Sequence, residues 1–393
     1  AGLRAAIPAE HVVCLWRRLG DEPGVEAACR LAGEGLEIVQ VLAQQQQAAR
    51  LWWVKHGAVA VTAQEPANVA QASLWGLGRT VMQEHPELEC TLIDIADGPN
   101  VVGQLLGEFT AGDAERQIAW RNGERRVARL VRAVESHASQ PLFRLDGTVL
   151  VTGGLGVLGL NLARWFAARG AKHLLLTGRR GHQTPGAAEA VAALEAFGAR
   201  VTVAAADVSD GVAVRALLAA IPSDLPLRGV VHTAGVLDDG VLSEQSVERL
   251  ARVIAPKVGG ACHLDELTRG ADLDFFVLFS SVAGTLGSAG QGGYAAANAC
   301  LDALASRRRA AGLCATSLAW GLWVDASSKA AGLASGLDSA QQARLEKSGL
   351  GVIDPSQGLA LFEASLGRSE AQLMPVPIDL AQLRKSFGDA VPS

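Results

Sequence analysis

GTVLVTGGLGVLGLNLARWFAARG, residues 147–170, is the stretch from which the fold can be read. It opens as an apolar run of strand length (147–151), turns through glycines, and continues as a helical stretch (160–169) that stops at Gly170. Gly154, Gly156 and Gly159 fill the G-x-G-x-x-G positions in strand–turn–helix order, the context that gives this otherwise weak pattern its meaning. Glycine lets backbone N–H groups approach a pyrophosphate there, and the helix N-terminus then favours the negative charge. Thr152, Gly153, Gly154, Leu155, Gly156 and Leu158 are therefore candidate cofactor-binding residues of a dinucleotide-binding α/β sheet.

Downstream, a strand expected at 172–177 ends in Gly178-Arg179-Arg180. An NAD site would place Asp or Glu near there for the ribose 2′-hydroxyl, whereas NADP needs a cation for its 2′-phosphate. Arg179 and Arg180 thus select NADPH, the competing reading being ordinary exposed arginines. A helix (185–197) and a strand (200–205) lead to Asp207-Val208, a position suited to the adenine. Another strand, 228–231, runs into His232-Thr233-Ala234-Gly235, with Ala234 and Gly235 on the cofactor side, and then into Leu237-Asp238-Asp239-Gly240. This acidic turn at a strand's carboxyl end should line the cleft, although Asp-Asp-Gly is also common turn chemistry.

Residues 275–301 (FFVLFSSVAGTLGSAGQGGYAAANACL) carry the chemistry: an apolar strand, a Gly/Ser loop, and a helix beginning near Gly292-Gly293. Ser, Gly, Gln and Asn interrupt the run, so no continuous block of about 20 apolar residues remains to span a membrane. The chain's only tyrosine, Tyr294, lies thirteen residues after Ser281 and four before Asn298. Residues four apart share a helix face, so Tyr294 and Asn298 point into one space, where a strand-end hydroxyl such as Ser281 can face them. Lys257, on a helix expected at 246–267, adds the cation that a phenol of pKa near 10 needs in order to move protons at neutral pH. Ser281 sits in Phe279-Ser280-Ser281-Val282 and not in a G-x-S-x-G elbow, which argues against an acyl nucleophile.

Residues 1–140 alternate apolar runs (11–17, 35–42, 58–62) with helical stretches, then a helix at 69–82 and a strand at 89–95, a pattern of βαβ units. None leads into a glycine-rich turn, so this half is expected to be a nucleotide-binding fold without a nucleotide site, with a structural role. Trp52, Trp53 and Trp75 read as packing residues. The polar segment 135–141 marks the boundary with a second unit, 141–393, that ends with a strand at 315–320, a lid near 325–348, and a last strand near 373–376.

Composition narrows the rest. At 393 residues, 49% apolar, the chain has room for two domains of ordinary size. A net charge of −5, with no cationic run beyond Arg307-Arg308-Arg309, argues against nucleic acid. The six cysteines lack CxxC spacing and read as free thiols in a reducing, cytoplasmic compartment; the eight histidines form no HxH or HExxH pair, so no metal is expected. The start has no secretory signal pattern and lacks an initiator Met, as a piece of something longer would.

Taken together, these residues resemble the ketoreductase domain of modular type I polyketide synthases, a branch of the short-chain dehydrogenase/reductase family. Residues 75–79 (WGLGR) with Glu84-His85-Pro86 resemble its structural subdomain; 152–159, 237–239, Lys257, Ser281, Tyr294 and Asn298 resemble its catalytic one. Most short-chain dehydrogenases carry the lysine four residues after the tyrosine; Asn298 stands there and Lys257 lies on the earlier helix, the exchange found in polyketide and fatty-acid synthase ketoreductases. The resemblance implies two Rossmann-like subdomains, the second binding NADPH. It also implies reduction of a β-ketoacyl thioester on the phosphopantetheine arm of an acyl carrier protein, among neighbouring synthase domains. Tyr294 would donate the proton, Ser281 would hydrogen-bond the same oxygen, and Lys257 with Asn298 would support the relay. Leu237-Asp238-Asp239 resembles the B-type, which makes the D-configured alcohol; A-type members carry Trp where Leu286 stands, and epimerising B-type members carry Pro where Ala297 stands. A non-reducing, NADPH-binding scaffold is the alternative, and Tyr294 lying outside the cleft would favour it.

Overall fold

Apolar runs, buried on both faces in the central strands, assemble into two separate, mostly parallel sheets, the environment that near-continuous Val/Leu/Ile strands require. The computed structural model describes residues 10–16, 24–45, 49–133, 143–144, 146–324, 349–379 and 381–382. The boundary segment 135–141 and the lid at 325–348 lie outside the described residues.

The first sheet holds β1 (His11–Leu15), β2 (Arg50–Lys55), β3 (Thr91–Ile95), β4 (Gln117–Arg121) and β5 (Glu124–Val127) in that order. Only β5 runs antiparallel, returning through Asn122-Gly123, both at positive φ (51° and 81°), the geometry a two-residue hairpin demands. Helices α1 (Gly24–Gln44), α2 (Val69–Glu84) and α3 (Val101–Thr110) connect these strands. The run 35–42 belongs to α1 and is not a strand, because Leu31, Leu36, Val39 and Leu42 recur at helical spacing on its buried face. The run 58–62 is likewise a loop, its Ala58 and Val59 amides held by Asp94 (3.0 and 3.1 Å). The strand between them is β2, where Trp53 is wholly buried.

The second sheet contains β6 (Thr148–Thr152), β7 (His173–Gly178), β8 (Arg200–Ala205), β9 (Leu227–His232), β10 (Phe275–Ser281), β11 (Thr316–Trp320) and β12 (Gln372–Leu373). Their order is β12-β11-β10-β9-β6-β7-β8 and every pair is parallel. The order reverses between β6 and β9, and ligands of such sheets bind beyond the carboxyl ends at that switch point. Its helices are α4 (Val157–Ala168), α5 (Ala187–Glu195), α6 (Gly211–Ala219), α7 (Val247–Ile254), α8 (Gly260–Leu267), α9 (Val282–Leu286), α10 (Gly292–Ala310) and α11 (Pro355–Ser365). The single helix expected at 246–267 is broken between α7 and α8 by a π turn, Ala255–Gly259. Pro256 has no N–H for an α-helical bond, so the wider turn forms there and swings Lys257 inward.

The two sheets share one core: Leu51 and Trp53 of β2, Leu74 and Leu77 of α2, and Leu301 and Leu304 of α10 lie in a single buried cluster. The α2–α10 crossing depends on Gly76, where an added Cβ would stand 2.2 Å from the Ala295 carbonyl oxygen. The halves are therefore packed backbone against backbone.

Candidate active site

The glycine turn after β6 is crowded in the way the sequence implies. Gly153 sits at φ 66°, and its Cβ would meet Thr233 Oγ1 at 2.8 Å; the corresponding atoms would meet Val151 O at 2.7 Å from Gly154 and Gly153 O at 2.4 Å from Gly159. No side chain fits at these three positions. Gly156 opens α4 as its N-cap, leaving the first N–H groups of the helix directed toward the cleft. That cleft, about 620 Å³, is lined by Gly153, Leu155, Gly156, Arg179, Arg180 and Thr184 among others. Two guanidinium groups and no carboxylate line it among the described residues. A bare-backbone cradle at a helix N-terminus with cations at its rim fits a phosphorylated dinucleotide. Asp207, just past β8, accepts from Ser209 Oγ (2.7 Å) and N (2.9 Å), bonds that with the Arg179 charge hold its carboxyl below the usual range; Val208 beside it is buried.

A polar hub ties this turn to the next strand. His232, buried at the end of β9, shares one ring nitrogen with Thr152 Oγ1 (2.7 Å) and the other with the Lys257 carbonyl (2.9 Å). Thr233 Oγ1 donates to Thr152 O at 2.7 Å, and Ala234 N lies 3.4 Å from Thr152 Oγ1. Burial holds His232 neutral, its pKa down at about 4, so the hub carries no charge of its own.

On α10, Tyr294 lies with the Lys257 ammonium 5.1 Å from its ring centroid. Lys257 Nζ donates to Phe279 O on β10 at 3.0 Å, and burial lowers its pKa to about 8 against a raising influence from Asp302. Burial pushes the Tyr294 phenol upward, while hydrogen bonding by Ser281 and Asn298 pulls it back. Ser281 ends β10 and caps α9, its Oγ accepting from Ala283 N at 3.2 Å. The Asn298 amide also donates to the Tyr294 carbonyl at 2.8 Å. Its Oδ1 is left buried with no hydrogen-bond partner, an acceptor suited to a water molecule.

The acidic turn is divided in two. Asp238 faces α7, paired with Arg249 (2.8 Å) and Arg252 (2.9 Å), whereas Asp239 accepts from Gln291 Nε2 at 2.9 Å, three residues before Tyr294. Leu237, Ala234 and Gly235 follow β9 in the same loop, and Leu286 closes α9 on the facing side. Gln291 was missed at the sequence level, as was Asp302, which accepts from Ser317 Oγ at 2.6 Å and whose carboxyl burial pushes up to about 6. Asp302 had a signal, since Tyr294, Asn298 and Asp302 recur every fourth residue on one face of α10, whereas Gln291, the residue that precedes the helix, had none.

Residues 147–325 match the KR domain family, and residues 1–130 match the family described as the Rossmann fold domain of the polyketide synthase extender module SpnB. A solved structure described as an A1-type ketoreductase superposes with a TM-score of 0.83 at 39% identity, covering 92% of this chain and 76% of that one. The chain belongs to the ketoreductase domains of modular polyketide synthases. A structure described as a C2-type ketoreductase from a modular polyketide synthase matches this ketoreductase domain at TM-score 0.83 and 36% identity, over 92% of this chain and 77% of that one. Pikromycin polyketide synthase component PikAIII of Streptomyces venezuelae is 44% identical over 90% of this chain, which spans 22% of that protein. Spectinabilin polyketide synthase system protein NorA' of Streptomyces orinoci is 42% identical over 92% of this chain, here only 10% of the relative's length. Among the described residues of the ketoreductase domain, no helix is long and apolar enough to cross a membrane, and no cluster of three His, Cys, Asp or Glu side chains could hold a metal.

Proposed function

We propose that this ketoreductase domain uses NADPH to reduce a β-ketoacyl thioester, carried by an acyl carrier protein, to the D-β-hydroxyacyl thioester. The observation that carries the proposal is the buried ammonium of Lys257 set 5.1 Å from the ring of Tyr294, in the same sheet's domain as the glycine cradle. NADPH, when bound, supplies the hydride to the β-carbonyl carbon. Tyr294 Oη gives its proton to the oxygen on which charge develops, and Ser281 Oγ hydrogen-bonds the same oxygen. The raised phenol pKa keeps that proton in place until it is needed. Lys257 offsets the cost of the tyrosinate that remains, and Asn298 Oδ1 holds the water through which the proton is replaced. Thr152, Gly153, Gly154, Leu155, Gly156 and Leu158 cradle the pyrophosphate; Arg179 and Arg180 take the 2′-phosphate; Asp207, Val208, Ala234 and Gly235 flank the adenine and nicotinamide ends. The convergence of these groups supports a reductase over a non-reducing scaffold.

B-type stereochemistry rests on Leu237, Asp238 and Asp239, with Leu286 in place of the A-type tryptophan and Ala297 arguing against epimerisation. The first sheet is the structural unit (1–140) and the second the catalytic one (141–393), working in a cytoplasmic synthase beside its neighbouring domains. Incubating the domain with a β-ketoacyl thioester and either cofactor, then resolving the alcohol on a chiral phase, tests all of this at once. The expected result is the D-alcohol with NADPH favoured over NADH by at least about tenfold, the worth of one charge-assisted hydrogen bond. An L-alcohol would overturn the B-type assignment, and no NADPH consumption would overturn the reductase.

A pH dependence follows from Lys257. Its folded pKa, lowered to about 8, means the ammonium is present below that pH and lost above it, while the phenol stays protonated beyond its ordinary range. Reductive kcat/KM should therefore fall as pH rises through about 8, a basic limb belonging to lysine. A profile flat across that range would show that Lys257 takes no part.

A further inference from the structure

The last turn of α2, in the half assigned no chemistry, reaches two loops of the second half, the one after β9 and the one before α10. Glu84 Oε2 accepts from Leu242 N at 2.7 Å, and Oε1 accepts from Gly290 N at 2.7 Å. Leu242 follows the Asp238-Asp239-Gly240 turn; Gly290 lies between Leu286 and Tyr294. One carboxylate thus joins two loops that are some fifty residues apart in the chain. The loops also touch each other through Gly240 N to Gly290 O (2.8 Å) and Gln291 Nε2 to Asp239 Oδ2 (2.9 Å).

The same face of α2 holds the rest of the second loop. Gln83 Nε2 donates to Leu286 O at 2.9 Å and Gln83 Oε1 accepts from Ala289 N at 3.0 Å; Thr80 Oγ1 donates to Ser288 O at 3.3 Å; Arg79 donates to Gly284 O. Gly287, at φ 81°, brings that loop so close that a Cβ would meet Arg79 O at 2.6 Å. The segment between Ser281 and Tyr294 is therefore fastened from outside its own sheet.

Resting on the reductase reading above, we propose that Glu84 is a positioning residue that fixes the spacing between the 237–239 turn and the 286–291 loop, and with it the face of the ketone offered to hydride. A carboxylate suits the task because both partners are backbone donors, and an acid accepts on two oxygens at once where an amide accepts on one. Discrimination between two faces of one ketone depends on where the acyl chain lies between these loops, so loosening one loop lets the wrong face compete.

Glu84→Gln keeps the shape and loses one acceptor. It should lower the D:L ratio of the alcohol by about tenfold and raise the thioester KM, with the NADPH KM unchanged, because Glu84 bonds to Leu242 and Gly290 and the cradle is built from other residues. Gln83→Met, at an exposed side chain, removes the bonds to Leu286 and Ala289 and should move the same two quantities in the same direction by a smaller factor. The proposal fails if both variants keep the wild-type D:L ratio, or if thioester and NADPH parameters worsen together with the melting temperature, as a general loss of structure would produce. A wild-type domain that does not reduce the thioester sinks the underlying reading as well; an active wild type with unaltered variants sinks the clamp alone.

Discussion

Tyr294→Phe should lower kcat for thioester reduction by a factor of about 10²–10⁴, the usual contribution of a positioned general acid, while NADPH binding stays within about twofold. The phenol oxygen is the only part removed, and the ring that faces the Lys257 ammonium at 5.1 Å is retained. The glycine cradle and the arginine rim are built from the turn after β6, the start of α4 and the residues after β7, not from α10, so cofactor titration separates the two functions. Stopped-flow absorbance of NADPH under single turnover is the measurement of choice. Turnover retained in the variant would mean that the proton comes from elsewhere, and the roles given to Lys257 and Asn298 would fall with it.

The largest expected effect on stability lies away from the chemistry, at Asp265 on α8. This carboxylate is almost wholly buried and accepts from Arg308 (2.8 Å), Arg307 (2.8 Å) and Arg269 (3.0 Å). Burial pushes its pKa up, but the three guanidinium groups outweigh that and leave it below the ordinary carboxylate range. Arg308 is itself buried, stacked 3.9 Å from the centroid of the Phe276 ring, with a further bond to Cys314 O at 3.1 Å. Asp265→Ala strands this cation in the core, and breaking a buried pair from one side costs about 3–5 kcal/mol. Denaturant unfolding should show the midpoint falling with the slope unchanged. Since the folded pKa is depressed, the stabilisation is fully present above the unfolded value near 4 and is lost as pH drops through the lower folded value. A variant as stable as wild type, with no change in its acid limb, would contradict the account.

What the sequence revealed and what it hid divide along one physical line. The turn at 152–159 was legible because its requirement is local: φ 66° at Gly153 and backbone approaches too tight for a Cβ demand glycine whatever lies elsewhere. The Tyr294 and Asn298 pair on α10 was legible for the same reason, helical spacing being a property of one segment. Strand β2 was hidden because both its faces are buried, so Leu51 to Val54 show no alternation, and its closing Lys55, buried over the indole of Trp75 at 4.7 Å, reads as a surface residue. The π turn was hidden behind a helical pattern that continues through it. Two adjacent aspartates, 238 and 239, look alike in sequence yet serve different partners, because a turn sends neighbouring side chains apart. The Glu84 contacts, 158 and 206 residues away along the chain, belong to tertiary structure alone.

The crossing at Gly76 bears on how such an enzyme can be rebuilt. With 2.2 Å between a notional methyl and the Ala295 oxygen, α2 and α10 fit as a matched pair, and a foreign first half lacking that glycine would wedge the Tyr294 helix away from its neighbours. Recombinant assembly lines that transplant this domain should therefore carry residues 69–84 along with the second sheet, placing their splice points upstream of β1 and not at the polar segment between the halves. Hybrids cut at that segment whose first half lacks the glycine would be expected to express poorly even with every catalytic side chain present.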